Sequence, residues 1–214
     1  MAHENNMKYL FAETALLPDG WATNVRVKID DAGRVGAVEP ESQPQAGDTV
    51  LTGRVLLPAP SNLHSHAFQR ALAGLTEARG ATGQDSFWTW RQLMYKFVDA
   101  LTPEQVEAIA ALSQIEMMES GYACVGEFHY LHHQNGGRPY DDPAELSRRI
   151  IAAAGETGIG LTLLPVFYSQ GGIGGRALEG GPLRFRNDLD GFAVIWSGAR
   201  RAIEKLGEIG RAHV

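Results

Sequence analysis

Cysteine is nearly absent from this chain. The single cysteine, Cys124, excludes a disulfide within the chain, and such sparing use is typical of proteins in a reducing cytoplasm. Cys124 stands in an apolar segment, so we expect a small core residue rather than a nucleophile. The first ten residues contain no basic segment followed by an apolar run, so we expect no signal peptide. These features predict a cytoplasmic location.

Long apolar runs and clusters of basic residues are also missing. No stretch approaches the roughly 20 apolar residues that a membrane-spanning helix needs. Lysine and arginine total 19 against 25 aspartate and glutamate residues, which gives a net charge of −6. Because phosphate groups are bound by clustered Lys and Arg side chains, we predict neither a nucleic acid nor a membrane as a partner. With 44% hydrophobic residues, the chain has the composition of an ordinary globular protein.

The first quarter of the chain has the pattern of short strands and turns. Residues 24–29 alternate polar and apolar side chains, as in a strand with one buried face. Residues 30–33 have turn composition, and residues 34–38 return as the second arm of a hairpin. Residues 39–48 are polar and contain two prolines, which indicates a loop. We predict an N-terminal β segment over residues 1–53.

From residue 54 onward, apolar strands alternate with helices. The strands are predicted at residues 55–57, 122–130 and 159–168. In the helix before the second strand, Thr102 and Gln105 form a capping box, and Pro103 takes the first helical position. This helix is predicted to bury one face, which consists of Val106, Ile109, Ala110, Leu112, Ile115 and Met118. The alternation predicts a parallel sheet covered by helices, and an open doubly wound sheet and a (β/α)8 barrel both fit the residues.

Two histidines, His64 and His66, follow the first of these strands. Side chains two residues apart on an extended chain point the same way, so the two imidazoles can converge on a metal ion. The His-x-His spacing is a weak signal by itself, but its place at a strand end strengthens it. A third histidine, His129, is expected to pack behind this site. His132 and His133 are assigned to a loop.

Four segments resemble known sequences. Residues 62–70, with the order Asn-Leu-His-Ser-His-Ala-Phe-Gln-Arg, resemble the first metal motif of the amidohydrolase superfamily. Together with residues 85–91, 127–133 and 158–168, they resemble the formimidoylglutamate deiminase family of bacterial histidine degradation. The resemblance runs from about residue 11 to about residue 191.

The resemblance implies a fold, a metal and a reaction. The fold would be a distorted (β/α)8 barrel beside a small β-sandwich, with residues 1–53 in the sandwich and residues 54–207 forming about the first three strands of the barrel. The metal would be one zinc ion, which lowers the pKa of bound water to about 7. The reaction would be hydrolysis of N-formimino-L-glutamate, a small-molecule substrate, to N-formyl-L-glutamate and ammonia.

The same resemblance assigns roles to individual residues. It implies that His64 and His66 are zinc ligands and that Gln69, Arg91 and Tyr130 bind substrate. An arginine suits a substrate with carboxylates, since it can bind a carboxylate with two parallel hydrogen bonds. Without the resemblance, Arg91 would be interpreted as a surface helix cation, Gln69 as a solvated polar group, and Tyr130 equally well as a core tyrosine. Trp88 and Trp90 are interpreted as part of a packed lid or core.

The family's third zinc-binding histidine and its catalytic residues lie on later strands, and a (β/α)8 barrel takes about 250 residues. We therefore expect a chain truncated at its C-terminus, assign no catalytic residue to it, and expect it to be inactive by itself. Residues 209–214 match one reading frame of a common sequencing adapter. We predict that residues 208–214 are a non-native tail in which His213 has no role. The superfamily implies a homodimer for the whole protein.

Two other functions are compatible with the sequence. The first is an amidohydrolase deaminase with a different substrate, such as an aromatic base, which does not require the carboxylate contact of Arg91. The second is a catalytically inactive α/β domain that binds acidic small molecules.

Overall fold

The structure is a computed structural model that describes residues 8–31, 33–76, 86–207 and 212–213. The chain divides into two compact units, residues 1–59 and residues 60–214, here called the N-terminal and C-terminal units. No described helix is long and apolar enough to cross a membrane. The predicted tail falls partly outside the described residues, since residues 208–211 and 214 are not among them.

The N-terminal unit is a sheet of five strands. They are β1 (Lys8–Leu17), β2 (Gly20–Ile29), β3 (Val35–Glu39), β4 (Thr49–Val50) and β5 (Val55–Leu56). The sheet order is β3-β2-β1-β4, and β5 also pairs with β1. β2 and β3 pair antiparallel, which confirms the hairpin predicted from residues 24–38. The buried side chains of Ala15, Val25 and Val27 form a small core.

The C-terminal unit alternates strands and helices around a parallel sheet. Its strands are β6 (Ser61–Ser65), β7 (Cys124–His129), β8 (Gly160–Pro165) and β9 (Ala212–His213), in that order in the sheet. Its α-helices are α1 (Phe87–Ala100), α2 (Pro103–Glu119), α3 (Glu145–Thr157) and α4 (Leu189–Gly207). Short 3-10 helices span Ala67–Leu72, Asn135–Gly137 and Gly181–Phe185. All three strand pairings are parallel, so the predicted parallel α/β arrangement is confirmed.

The strand that carries the histidine pair differs from the prediction. Residues 55–57 were predicted to lead directly into His64, but β5 belongs to the N-terminal unit and pairs with β1. The two prolines at 58 and 60 separate β5 from β6, because proline has no N–H to donate to a strand ladder. His64 therefore lies inside β6 rather than after a strand. The helix-prone segment that follows His66 forms a 3-10 helix, Ala67–Leu72.

The helix ends follow the sequence closely. At the start of α2 the Thr102 hydroxyl accepts a hydrogen bond from Gln105 N–H at 3.3 Å. The Gln105 side chain accepts one in return from Thr102 N–H at 3.0 Å, so the predicted capping box is confirmed. Ser86 and Thr89 form an equivalent capping box at the start of α1.

The buried face of α2 matches the prediction only in part: Val106 and Ala110 are buried as predicted, but three other predicted positions are exposed. Leu112, Ile115 and Met118 are 49%, 45% and 40% exposed. The buried positions are Val106, Ala110, Ser113 and Gln114. The face is rotated because α2 packs against α3, where the Thr157 hydroxyl donates to Gln114 Oε1 at 2.9 Å. A polar pair thus occupies part of the contact, and three apolar side chains are left on the surface.

Two positions of β7 show how closely this strand is packed in the parallel sheet. Cys124, at the start of β7, is exposed, so its prediction as a core residue was wrong. Gly126 lies where β6 and β7 approach closely, since an added Cβ would stand 3.2 Å from Leu63 O. A side chain at Gly126 would therefore push against the backbone next to His64.

Candidate active site

His64, in β6, and His66, directly after β6, meet at their Nε2 atoms. His64 Nε2 and His66 Nε2 lie 3.0 Å apart, and the two rings are nearly perpendicular at 84°. The His64 ring stacks on Phe128, with ring centroids 4.6 Å apart. Two imidazole nitrogens on one tetrahedral zinc, each at about 2.0–2.1 Å, would be roughly 3.3 Å apart. The pair therefore fits a shared metal ion as two of its ligands.

A backbone carbonyl determines which nitrogen of His66 carries the proton. His66 Nδ1 lies 3.0 Å from Phe128 O. A carbonyl can only accept, so Nδ1 carries the hydrogen and, in the neutral ring, Nε2 keeps its lone pair. Metal-bound histidines commonly have their second nitrogen held in this way. The contact with β7 thus leaves the lone pair of His66 Nε2 on the side of His64 Nε2.

A buried carboxyl group, Glu127, supports the same segment from β7. Its side chain is 2% exposed, and its Oε1 accepts a hydrogen bond from Ala67 N–H at 2.7 Å. Burial raises the pKa of Glu127 to about 7, although hydrogen bonds from Ser65 and Ala67 act in the opposite direction. No role for Glu127 was predicted from the sequence, where the available signal was an acidic residue inside an apolar strand.

The variant Glu127→Gln is expected to become more stable relative to the original chain as the pH rises. The folded-state pKa lies above the ordinary value, so protonated Glu127 contributes stability that is lost as the pH rises through about 7. Glutamine retains an oxygen for Ala67 N–H and has no charge to bury. From pH 5 to pH 7 the free energy of unfolding of the variant, relative to that of the original chain, should rise by about 2 kcal/mol. Urea unfolding at both pH values measures it, and a pH-independent difference would contradict the raised pKa.

A cavity of about 440 Å³ lies beside His66 in the C-terminal unit. This volume is in the range of small-molecule sites. Three of its lining residues are the predicted substrate residues Gln69, Arg91 and Tyr130. The structure thus brings them together with one predicted metal ligand, although they come from different elements. The other lining residues are mainly aromatic: Phe68, Phe87, Trp90, Met94, Tyr95, Tyr168 and Phe185.

Arg91 is held in this cavity by two tyrosines. Its Nε donates to Tyr95 Oη at 2.8 Å and its Nη2 donates to Tyr168 Oη at 3.2 Å. Burial acts to lower the pKa of Arg91, but the hydrogen bonds to the two tyrosines raise it overall, so the side chain stays cationic. These contacts distinguish Arg91 from a freely solvated surface cation.

Tyr130 joins the two ends of the cavity. Its ring lies 5.2 Å from the His66 ring and 6.3 Å from the Tyr168 ring, both measured between centroids. The amide nitrogen of Gln69 lies 3.7 Å from the sulfur of Met94. Trp90 also lines the cavity, whereas Trp88 is 65% exposed and so does not belong to a packed core.

Three further histidines, His129, His132 and His133, are buried and do not line this cavity. His129, His132 and His133 are 2%, 1% and 9% exposed. His132 Nε2 lies 3.0 Å from Val166 O, and His133 Nε2 lies 2.7 Å from Arg186 O. Within the described ranges, no group of three or more His, Cys, Asp or Glu side chains is placed to hold a metal ion. The His129 ring lies next to the His132 ring, with centroids 5.5 Å apart, and the packing of His129 behind the histidine pair stays a prediction.

The chain is similar in sequence to formimidoylglutamate deiminases. Residues 7–50 match the family model described as formimidoylglutamate deiminase HutF, N-terminal domain. The chain is also 49% identical over 201 residues to formimidoylglutamate deiminase from Pseudomonas aeruginosa, an alignment that covers 94% of this chain and 44% of that protein. The resemblance to the formimidoylglutamate deiminases is confirmed.

Solved structures extend the likeness to the amidohydrolases. An amidohydrolase from Brucella melitensis superposes with a TM-score of 0.87 and 45% identity, over 96% of this chain and 44% of that one. A triazine hydrolase from Arthobacter aurescens superposes with a TM-score of 0.69 over 98% of this chain and 45% of its own, at 15% identity, which shows the fold alone. The chain spans less than half the length of these relatives. The relatives include a deiminase and hydrolases, which agrees with the enzyme class predicted from the sequence.

Proposed function

We propose that the protein to which this chain belongs hydrolyses N-formimino-L-glutamate to N-formyl-L-glutamate and ammonia, in the cytoplasmic degradation of histidine. In this proposal residues 54–207 are the first part of a (β/α)8 barrel, residues 1–53 belong to a small β-sandwich, and residues 208–214 are a non-native tail. The alternation of parallel strands and helices in the C-terminal unit supports the barrel. The likeness to formimidoylglutamate deiminase over 94% of the chain supports the reaction.

One observation carries the proposal: a single cavity is lined at once by His66 and by Arg91. The cation suits a carboxylate of the substrate, because a guanidinium can bind both carboxylate oxygens. The ring of Tyr130 lies between the two ends and touches both His66 and Tyr168. A molecule with an acidic end and a hydrolysable end matches this arrangement. An aromatic base would leave the charge of Arg91 without a partner.

His64 and His66 would hold the zinc ion through their Nε2 atoms, and the bond between His66 Nδ1 and Phe128 O supports that role. Zinc bound there would supply a water molecule with a pKa near 7. The protein's own residues would position the substrate. Arg91 would hold a carboxylate, Gln69 and Tyr130 would line its path, and the aromatic side chains around them would exclude water.

A chimaera tests the proposal. Residues 8–206 of this chain would replace the matching part of the Pseudomonas aeruginosa relative, which is 49% identical over the aligned region. We expect the chimaera to release ammonia from N-formimino-L-glutamate and the 214-residue chain alone to release none, since two imidazoles are too few for a catalytic zinc site. In the chimaera, Arg91→Met should lower kcat/KM by about 100-fold or more.

Arg200→Met in the same chimaera is the matched control, because Arg200 is exposed, pairs with Glu204 across one helical turn and is not a lining residue of the cavity. Circular dichroism would establish that each variant is folded. A folded chimaera that releases ammonia from a nucleobase but not from N-formimino-L-glutamate would support the alternative amidohydrolase function. A folded chimaera that binds N-formyl-L-glutamate but turns over nothing would support the binding domain.

A further inference from the structure

The guanidinium of Arg91 is bound by two neutral hydroxyl groups from separate elements. Tyr95 lies one turn further along α1, and Tyr168 follows β8, 77 residues away from Arg91 in the chain. Burial, countered in part by the bonds from Arg91, raises the pKa of Tyr95, so its hydroxyl stays neutral. Neither contact therefore neutralises the charge of Arg91.

These contacts leave part of the guanidinium available. An arginine side chain has five N–H donors in a planar fork. One donor on Nε and one on Nη2 are used by the tyrosines. Among the described residues, Nη1 and the second N–H of Nη2 have no hydrogen-bond acceptor. These are neighbouring donors, which match the two oxygens of a carboxylate.

We propose that Tyr95 and Tyr168 are positioning residues that fix Arg91, so that its free N–H groups on Nη1 and Nη2 present an uncancelled charge to a carboxylate of the ligand. This inference rests on the proposed function, because it explains how that site selects an acidic substrate. A carboxylate in place of either tyrosine would hold Arg91 equally well, but it would neutralise the charge. A hydroxyl pair fixes the direction of the fork and leaves its charge for the ligand.

Phenylalanine substitutions can distinguish the positioning role of the two tyrosines from a purely structural role. The rings of Tyr95 and Tyr168 pack on Phe185, with centroids 5.9 and 6.0 Å apart. Phenylalanine at both positions keeps this ring packing and removes only the hydroxyl groups. Tyr122→Phe is the control, because Tyr122 is 37% exposed and is neither a lining residue of the cavity nor bonded to Arg91.

The first measurement is hydrogen exchange of the arginine Nε–H groups, by NMR of the complete 214-residue chain labelled with ¹⁵N-arginine. Arg91→Lys assigns the Arg91 signal. We expect Tyr95→Phe to accelerate exchange of Arg91 Nε–H by about tenfold or more, because it loses its acceptor. Tyr168→Phe should have a smaller effect, and Tyr122→Phe should have none. Unchanged exchange in the Tyr95→Phe and Tyr168→Phe variants would overturn the positioning role.

The second measurement compares binding of N-formyl-L-glutamate with binding of its uncharged diamide, by isothermal titration of the same chain. The unmodified chain should prefer N-formyl-L-glutamate by about tenfold or more, and the double variant Tyr95→Phe/Tyr168→Phe should lose most of this preference. A preference that persists in the double variant would overturn the inference and leave the proposed function intact. Binding of neither probe to the unmodified chain would contradict the selectivity. Ammonia release by the chimaera would still decide the proposed function, and the exchange measurement would still decide the positioning.

Discussion

Replacing Arg184 with methionine is expected to lower the free energy of unfolding of the C-terminal unit by about 3 kcal/mol or more. Arg184 is 1% exposed. Its Nε donates to His133 O at 2.8 Å, and its Nη1 donates to Leu101 O at 3.1 Å and to Val98 O. Methionine fills similar space but donates nothing, so these buried carbonyl groups would lose their partner.

The substitution should also disturb the cavity, because Arg184 connects the elements that carry the predicted substrate residues. Val98 and Leu101 are at the carboxyl end of α1, which contains Arg91. His132 N–H and His133 N–H, in the loop that follows Tyr130, both donate to Arg184 O at 3.0 Å. Arg184 thus joins the end of α1 to this loop. We expect the variant to have weaker binding of N-formyl-L-glutamate as well as lower stability.

Urea unfolding followed by tryptophan fluorescence would measure the stability change. A Trp21→Phe background leaves tryptophans only in the C-terminal unit, at positions 88, 90 and 196. Arg200→Met is the matched control, since it makes the same exchange at an exposed salt bridge and should change stability by about 0.5 kcal/mol at most. Equal losses in the two variants would show that the buried contacts of Arg184 contribute little.

Acidification from pH 7 to pH 5 is expected to destabilise the C-terminal unit through two buried histidines. Burial lowers the pKa of His132 to about 4, and burial lowers the pKa of His129 well below its ordinary value. Because each pKa is lowered in the folded chain, these histidines bind a proton in the unfolded chain at pH values where they stay neutral in the folded chain. The stability contributed by neutral His129 and His132 is therefore lost as the pH falls from above 6.5 toward 4.

Glu127 acts in the opposite direction over the same interval. Its pKa of about 7 lets the folded chain keep a proton that the unfolded carboxyl releases. Between pH 7 and pH 5 the two histidines together should lower the free energy of unfolding by about 4 kcal/mol. Glu127 should raise it by about 2 kcal/mol, so the net decrease is about 2 kcal/mol.

Single variants separate these contributions. His132→Gln should nearly abolish the loss between pH 7 and pH 5, because one of the two proton-binding histidines is removed. Glu127→Gln should roughly double the loss, because the opposing carboxyl is removed. Urea unfolding at half-unit pH steps gives the slopes. The depressed histidine pKa values would be refuted if His132→Gln had the same pH dependence as the original chain.

Features that depend on neighbours in the chain were predictable from the sequence. The capping box of α2 forms because Thr102 and Gln105 are three residues apart and satisfy each other's backbone. The convergence of His64 and His66 follows from the alternation of side chains on an extended segment. The alternation of strands and helices followed from the order of apolar and amphipathic segments, and with it the parallel sheet.

Features that depend on distant residues were decided only by the tertiary structure. Glu127 meets Ala67 across 60 residues, Arg91 meets Tyr168 across 77, and Arg184 meets Val98 across 86. The exposed side of α2 was set by its contact with α3, where Gln114 accepts from Thr157. The sequence by itself determined the elements and one pair of candidate metal ligands, because local hydrogen bonds and periodicity act within a few residues. Which side chains surround that pair, and with what charge and protonation, was determined by packing, because burial and partner contacts exist only once the elements have come together.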